Sequence, residues 1–486
     1  MEISKAFTFD DILLEPRKSS VQPKNCSTFT FLTKNLKLDV PIISAAMDTV
    51  SESKLAIAMA QLGGAACIHK NMTVEQQVSE VLKVKKFESG MVIDPITIGP
   101  NNLISDVKKI IREKNISGIP VVDNSNKILG IITNRDLRFS SNDNAKVKDL
   151  MTKDVVTIKQ GYKINDAKKL LHKNRIEKLI VTNSNNQCLG LITVKDIEKS
   201  EKFPNASKDK NQSLMVGAAV GVGEKEFNRA VSLVNAGSDF LIIDTAHGHS
   251  LPVIETIKKI RKKFKNLNLI AGNIATAEAA VELAKLDVNA VKVGIGPGSI
   301  CTTRIVAGIG VPQFSAILNV KKALSKYKNT KIIADGGIRY SGDIAKAMAA
   351  GADAVMIGSL LAGTDETPGE IFYFQGRSYK SYRGMGSISA MARGSADRYF
   401  QQDIKDQLKL VPEGIEGRVP YRGPVKNIID QLVGGLKSSM GYLGAKDFEQ
   451  FRKNAKFIEI TNSGLKEGHV HDVHITKQSP NYPINE

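Results

Sequence analysis

Tryptophan is missing from this 486-residue chain and aromatic residues make up only 6% of it, so the core must be built from aliphatic side chains. At 42% hydrophobic residues and this length there is enough apolar material for one large barrel or two to three domains. Cysteine is almost as scarce. Cys26, Cys67, Cys188 and Cys301 stand far apart with no C-x-x-C spacing, which excludes a disulfide framework and a zinc knuckle and predicts reduced thiols. Long apolar runs are lacking too: stretches such as "AVMIGSLLAG" break well short of the roughly 20 residues of a membrane span. The opening "MEISKAFTFDDILLEP" carries acids and no apolar signal core, so the expectation is a cytoplasmic protein with no membrane partner. The histidine clusters "HGH" (247–249) and "HVHDVH" (469–474) lack the surrounding ligand pattern of a zinc site.

Acids are the minority charge. Sixty-eight Lys and Arg against 50 Asp and Glu leave a formal charge of +18. The lysines are spread along helical patterns such as "IKKIRKKFKNLN" and are not interleaved with aromatics, so no specific nucleic-acid partner is expected. An attraction for phosphate-bearing small molecules is the milder implication.

An internal repeat is present. The stretch beginning near residue 94 aligns without a gap on a second copy sixty residues further on, matching Asp106 with Asp166, Gly130 with Gly190, Thr133 with Thr193 and Asp136 with Asp196. Each copy reads as a short strand, an amphipathic helix and two strands split by an Asn/Ser turn, and each is too small to bury a sizeable core alone. The recurring "G-[IL]-I-T-x-x-D" ending resembles the cystathionine-β-synthase (CBS) family of tandem modules. That resemblance implies a regulatory purine nucleotide held by Thr133 with Asp136 and Thr193 with Asp196; a purely structural pair is the alternative.

Outside the repeat another rhythm takes over. Eight short apolar runs, at 40–48, 64–71, 213–221, 239–248, 267–273, 290–299, 331–338 and 353–361, end in glycine or polar residues and alternate with helical patterns. Such strands argue for a parallel sheet buried on both faces, and eight of them for a closed (β/α)8 TIM barrel. The fold class expected is therefore α/β, a barrel at 1–92 and 203–486 interrupted by a tandem CBS (α+β) insertion at 93–202, with copies at about 93–150 and 151–202. Active sites of such barrels lie in the loops at the carboxyl ends of the strands.

Two of those loops are suited to phosphate. "DGGI" (335–338) and "IGSLL" (357–361) are glycine-rich and lead into helices, offering free backbone N–H groups. Ser299, Ser359 and the amides of Gly337 and Gly358 are candidate ligands, with Asp335 placed to accept bonds from a ribose diol. The loop after the sixth strand, "GIGPGSICTTR", spends much backbone freedom on one thiol. Cys67 reads as an inert small hydrophobe, whereas Cys301 at the site mouth reads as a nucleophile forming a transient covalent adduct. No neighbouring histidine lowers its pKa, so activation must come from nearby positive charge or backbone donors.

"GIGPGSICTTR", "IADGGI", "SYRGMGS", "DRYF" and "VPEGIEGRVPY", in this order and with the insertion where it falls, resemble the inosine-5′-monophosphate (IMP) dehydrogenase family over essentially the whole chain. The resemblance implies NAD-dependent oxidation of IMP to xanthosine 5′-monophosphate through a cysteine–purine thioimidate that is then hydrolysed, a step of guanine nucleotide synthesis. By the same resemblance Cys301 attacks C2 of the purine. Ser299, Gly337, Gly358, Ser359 and Tyr382 hold the phosphate, Asp335 the ribose, and Met385, Gly386 and Glu413 the base. Asp244, Asn273 and Gly294 line the nicotinamide site. No G-x-G-x-x-G fingerprint sits in a βαβ unit, so NAD is expected in the barrel mouth. The long segment at about 387–420, weak in apolar periodicity, is expected to be a flap that enters the vacated NAD site. Its Arg398–Tyr399 pair would stand beside the hydrolytic water, Arg398 as general base and Thr303 positioning the water. Read without the family, Arg398 is a solvated surface charge.

The resemblance further implies a potassium ion held by carbonyls of Gly296, Gly298 and Cys301, completed by Glu467, Gly468 and His469 of a neighbouring subunit. It also implies a homotetramer able to stack into octamers. The competing readings are an enzyme like guanosine-5′-monophosphate (GMP) reductase and a non-catalytic nucleotide sensor. The "DRYF" and "VPEG" motifs argue against the first, and the intact Cys301, Thr303, Asp335 and Arg398 against the second.

Overall fold

The computed structural model of the chain describes residues 3–482 apart from 88–91, 94, 115, 139, 141, 163, 405 and 478. Two compact units are formed: Met1–Lys85, Asn205–Asp209 and Leu214–Glu486 make one, Lys86–Pro204 and Lys210–Ser213 the other.

In the larger unit eight parallel strands close into a barrel in chain order. They are β1 (Ile42–Ser44), β2 (Ala65–Ile68), β3 (Gly217–Val220), β4 (Phe240–Asp244), β5 (Asn268–Ile274), β6 (Ala290–Val293), β7 (Lys331–Asp335) and β8 (Ala354–Ile357), and β8 pairs back onto β1. Seven lie inside the apolar runs read from the sequence, and β5 overruns its run, 267–273, by one residue. Helices such as Glu224–Asn235, Leu251–Lys263, Ala277–Lys285, Gln313–Ala323 and Ser341–Ala350 follow the strands. The 277–285 helix shows why these segments form where they do. Thr276 caps it by accepting from the Ala279 amide, Glu278 and Lys285 complement its dipole, and Ala279, Ala280 and Leu283 make its buried stripe.

The barrel interior is filled by Ile43, Ala65, Cys67, Ala219, Phe240, Ile242, Ile270, Ala290, Ile333 and Met356, all essentially buried. Phe240 is the largest of these, and its ring has room only because residue 217 is glycine: a Cβ there would stand 2.0 Å from the ring. Burial pushes the Cys67 thiol well above its ordinary pKa, leaving it inert.

After β8 comes a three-stranded antiparallel sheet, Phe372–Phe374, Arg377–Arg383 and Glu416–Pro420, whose first two strands the sequence reading did not assign and whose third falls inside the expected flap. The flap is also more regular than expected. It holds the helix Ile388–Arg393, capped by Ser387 and stopped by Gly394 at φ 137°, and the 3-10 turn Ser395–Tyr399. A six-residue helix is too short to print a period of 3.6 on the sequence, which explains the difference.

In the smaller unit the two copies fold alike. Gly118–Val122 pairs with Ile128–Thr133, and Lys178–Thr182 with Cys188–Thr193, in matching registers that shift at Val121/Val122 and Val181/Thr182. Helices Ile104–Lys114 and Ile164–Asn174 occupy equivalent places. One apolar cluster draws on both copies, joining Val122 and Ile131 to Ile180, Cys188 and Leu191. Val92–Ile93, at the boundary chosen from the sequence, pairs with Cys188–Thr193. Among the described residues no helix is long and apolar enough to cross a membrane.

Candidate active site

At the carboxyl ends of the strands the loops surround a cavity of about 150 Å³. Cys301, Thr303, Arg398 and Tyr399 all line it. So do Ser299, Asp335, Gly337, Gly358, Ser359, Tyr382, Met385 and Glu413, as well as Asp244, Asn273, Gly294, Gly296 and Gly298.

The loop after β6 begins at Gly294, which only glycine can occupy: φ is +149°, and a Cβ would lie 2.1 Å from the Asp335 carbonyl oxygen. It ends at Cys301, half-buried, with its amide donating to the Gly298 carbonyl at 3.1 Å. The Cys301 Sγ stands 3.2 Å from Thr303 Oγ1, and Thr303 Oγ1 donates to Glu413 Oε2 at 2.7 Å. Glu413 is brought there by backbone pairing between the cysteine loop and the flap: the Thr302 amide donates to the Glu413 carbonyl, and the Ile415 amide to that of Ile300. A cation, Arg304, lies three residues beyond the thiol in the chain. Burial lowers its pKa and the electrostatic influence of Cys301 works in the opposite sense. Its guanidinium donates to the carbonyls of Ile295 and Val311.

Beneath the thiol lies a charged layer across the top of the barrel, centred on a residue the sequence reading passed over. Lys292 of β6 is 2% exposed, with its Nζ 2.9 Å from Asp244 Oδ1 and 2.7 Å from Asp335 Oδ2; it also donates to Asn273 Oδ1. Asn273 Nδ2 in turn donates to Asp335 Oδ2 at 2.9 Å and to the Gly294 carbonyl at 2.6 Å. Asp244, Gly272 and Lys292 sit side by side in the ladder, and Gly272 leaves the space: a Cβ there would meet the Lys292 carbonyl oxygen at 2.5 Å. The available signal was one lysine inside the strand "AVKV", on the same face as Ala290.

Arg398 completes the layer. Its guanidinium forms an ion pair with Asp244 Oδ2, only 14% of its side chain is exposed, and its carbonyl accepts from the Ala246 amide at 2.9 Å. It is therefore a buried cation and not a solvated one. Burial works against the charges of Asp244, Lys292 and Arg398 and is outweighed at all three. Arg398 and Lys292 hold the Asp244 carboxyl well below the usual carboxylate range, Asp244 and Asp335 raise the Lys292 ammonium, and Asp244 holds Arg398 protonated. Burial pushes the Tyr399 phenol up to about 12, with Arg398 pulling the other way.

The corner expected to take a phosphate gathers from separate elements. Gly336 and Gly337 take positive φ after β7, turning the chain around Pro297, and Gly358 opens the short helix Ser359–Ala362. Tyr382, from the middle strand of the three-stranded sheet, brings its hydroxyl beside Gly358, where a Cβ would lie 3.0 Å from it. Burial raises this phenol too, against a hydrogen bond with Ser299. Gly386 does not line the cavity. It backs Tyr399, whose ring atom would meet a Cβ at 2.7 Å.

The remaining predicted residues lie elsewhere. Glu467, Gly468 and His469, at the exposed end of the helix Asn462–Glu467, are not among the residues that line the cavity with Gly296 and Gly298; His469 Nδ1 is 2.8 Å from the Tyr482 hydroxyl. In the smaller unit the Thr133 amide and hydroxyl both donate to Asp136 Oδ2 at 2.7 Å, so this pair builds a helix cap. Thr193 closes the equivalent ladder, and the Asp196 side chain lies outside the described residues.

The chain is 55% identical over 481 residues to the inosine-5′-monophosphate dehydrogenase of Helicobacter pylori, covering 99% of each protein. It is 54% identical over 484 residues to that of Bacillus subtilis, covering 99% of this chain and 98% of the relative. Among solved structures, a Cys-to-Ala variant of GMP reductase from Trypanosoma brucei in complex with guanosine 5′-monophosphate superposes with a TM-score of 0.83 at 39% identity, over 97% of this chain and 99% of that one. The family model described as the IMP dehydrogenase / GMP reductase domain matches residues 6–471. With a thiol at the mouth of an eight-stranded barrel, a charged layer below it and matches over nearly the full length, the chain belongs to the IMP dehydrogenase / GMP reductase family.

Proposed function

We propose that this chain oxidises IMP to xanthosine 5′-monophosphate with NAD⁺ and water as co-substrates. The observation that carries the proposal is the convergence of Cys301, Thr303, Glu413 and the Arg398–Tyr399 pair on one cavity that also contains a phosphate corner. Ser299, the Gly337 and Gly358 amides, Ser359 and Tyr382 hold the phosphate, Asp335 accepts from the ribose diol, and Met385 and Glu413 bound the base, with Gly386 acting only through Tyr399 behind it. The Cys301 thiolate adds to C2 of the hypoxanthine, and the hydrogen at C2 departs with its electron pair. Bound NAD⁺ supplies the acceptor for that hydride. The thioimidate left on Cys301 adds water at C2, the C–S bond breaks, and the thiolate returns; one proton is released overall.

Asp244, Asn273 and Gly294 are suited to the nicotinamide nucleotide, because an ionised carboxylate at a strand end is a good acceptor for ribose hydroxyls. Here Arg398 occupies that carboxylate. Dinucleotide and flap therefore use Asp244 in turn, which reconciles a dry hydride transfer with a wet hydrolysis in one place. Paired with Asp244, Arg398 stays protonated and orients water; its role as general base requires that pair to open. Carbonyls of Gly296, Gly298 and Cys301, on one tight loop, suit a potassium ion, with Glu467, Gly468 and His469 supplied by a neighbouring copy in a tetramer or octamer. The smaller unit is a tandem CBS pair binding regulatory purine nucleotides through Thr133, Asp136, Thr193 and Asp196.

A GMP reductase activity is the second reading, favoured by the superposition on that enzyme. Mixing the protein with IMP and NAD⁺ separates the two: NADH and an adduct on the Cys301 peptide support oxidation, both abolished in Cys301→Ala while IMP binding persists. NADPH consumption with GMP, and none of these products from IMP, would overturn it.

A further inference from the structure

We propose that Lys70 is a positioning residue for the reaction: together with Gly221 it forms a socket that receives Asp397 and thereby seats Arg398 and Tyr399 in the cavity. The inference rests on the two-step reading above and says what holds the flap in its hydrolytic place.

Lys70 lies two residues beyond β2 and is only 8% exposed, although lysine is almost never buried unless paired. Its partner is Asp397 Oδ1, one residue before Arg398 in the 3-10 turn Ser395–Tyr399. Neither Lys70 nor Asp397 lines the cavity, so the pair is separate from the groups that meet the substrate. The other oxygen of Asp397 lies over Gly221, just past β3, where a Cβ would stand 2.6 Å from Oδ2. Strands β2 and β3 are neighbours in the barrel, so the two loops form one wall.

That wall is built without help from the flap. Gln77 Nε2 donates to the carbonyls of Ile68 and Ala219, at 3.2 and 2.9 Å, tying the ends of the two strands together. Glu226 Oε2 accepts from the Gly221 amide at 2.8 Å. Arg229 bridges the network, donating to Glu226 Oε1 at 3.0 Å, Gln77 Oε1 at 2.8 Å and the Met72 carbonyl at 3.2 Å. Gln77, Glu226 and Arg229 are all buried, and a fully satisfied buried polar network of this kind is rigid. The socket therefore has its shape before the flap arrives.

The flap needs such an anchor because its other charged contact is contested. Arg398 must surrender Asp244 whenever the dinucleotide is bound. The Lys70–Asp397 pair adds stabilisation to the seated flap that does not pass through Asp244, and shifts the balance between flap and dinucleotide towards hydrolysis.

The test uses the full-length protein and the variants Lys70→Met, Asp397→Asn and their double. Rapid mixing with IMP and NAD⁺ resolves the first burst of NADH, which reports hydride transfer, from the steady rate, which reports hydrolysis. Each single variant should keep the burst rate within about twofold and lose about tenfold in steady turnover, the order expected for a charge-assisted hydrogen bond. Inhibition by excess NAD⁺ should set in at lower concentration. The double variant should be no worse than either single one, because both remove the same contact. Amide exchange gives a readout independent of turnover: segment 394–401 should exchange faster in both single variants while 224–235 does not. Equal loss of burst and steady rate, or unchanged exchange at 394–401, would overturn the socket. Should the unaltered protein make no NADH from IMP, the reaction assignment fails, and the exchange result alone then decides the socket.

Discussion

Replacing Lys292 by methionine isolates the physics of the charged layer. The side chain keeps its length and apolar stem but loses the ammonium that sits between Asp244 and Asp335. Removing one partner of a buried ion pair costs about 3–5 kcal/mol because the other charge is left uncompensated. Here Asp244 retains Arg398 and Asp335 retains Asn273 Nδ2, so the lower end, about 3 kcal/mol, is the expected loss. At about 2 °C per kcal/mol for a unit of this size, calorimetry near pH 8 should show the barrel melting about 6 °C lower.

The sign of the pH dependence follows from linkage. In the unaltered protein the Asp244 carboxyl is depressed, so its contribution is present above the unfolded carboxylate pKa and fades only as pH falls below the usual carboxylate range. The Lys292 ammonium is raised, so its contribution is present below the ordinary lysine pKa and lost only as pH climbs past its elevated value. Between these limits the layer contributes a constant amount. In Lys292→Met the Asp244 carboxyl keeps only one of its two compensating cations, so less of its stabilisation remains to be lost as the pH falls through the carboxylate range, and the two melting profiles converge at low pH. Melting profiles that coincide, or that differ by a constant from pH 8 down to pH 3, would refute the claim that Lys292 is the charge compensator.

Asp335→Ala should weaken IMP binding by about 1.5–3 kcal/mol through loss of charge-assisted bonds to the ribose, read by calorimetric titration with IMP. Gly217→Ala drives a methyl into the Phe240 ring and should destabilise the barrel by about 1–3 kcal/mol, an effect relieved by Phe240→Leu in the same protein and read by denaturant titration. Thr133→Ala removes the hydroxyl partner of Asp136 and should cost about 1 kcal/mol in the smaller unit. If Thr133 also holds a regulatory ligand, a purine nucleotide that raises the melting point of the unaltered protein will no longer do so in the variant.

Much of the fold was legible because its signals are short-range. Each barrel strand is a short, mainly apolar segment of three to seven residues, and the repeat is a direct alignment of the chain on itself. Gly294 and Cys301 could be singled out because glycine density and a solitary thiol are visible in one loop. The helix 388–393 was missed because its period is too short to register, and Lys292 because one charge in an apolar strand looks like an exception until its partners are known. The sequence by itself also left Arg398 a surface charge when read without its family.

Composition, periodicity and the order of motifs thus determined the barrel, the inserted repeat and the cysteine proposed as nucleophile. Tertiary structure alone decided which charges meet. Thr303 and Glu413 are 110 residues apart in the chain and 2.7 Å apart in space, and Asp244, Lys292, Asp335 and Arg398 come from three strands and the flap. Local propensity acts over a few residues, whereas pairing of buried charges depends on ring closure bringing distant strand ends to one rim, where low dielectric makes each partner indispensable.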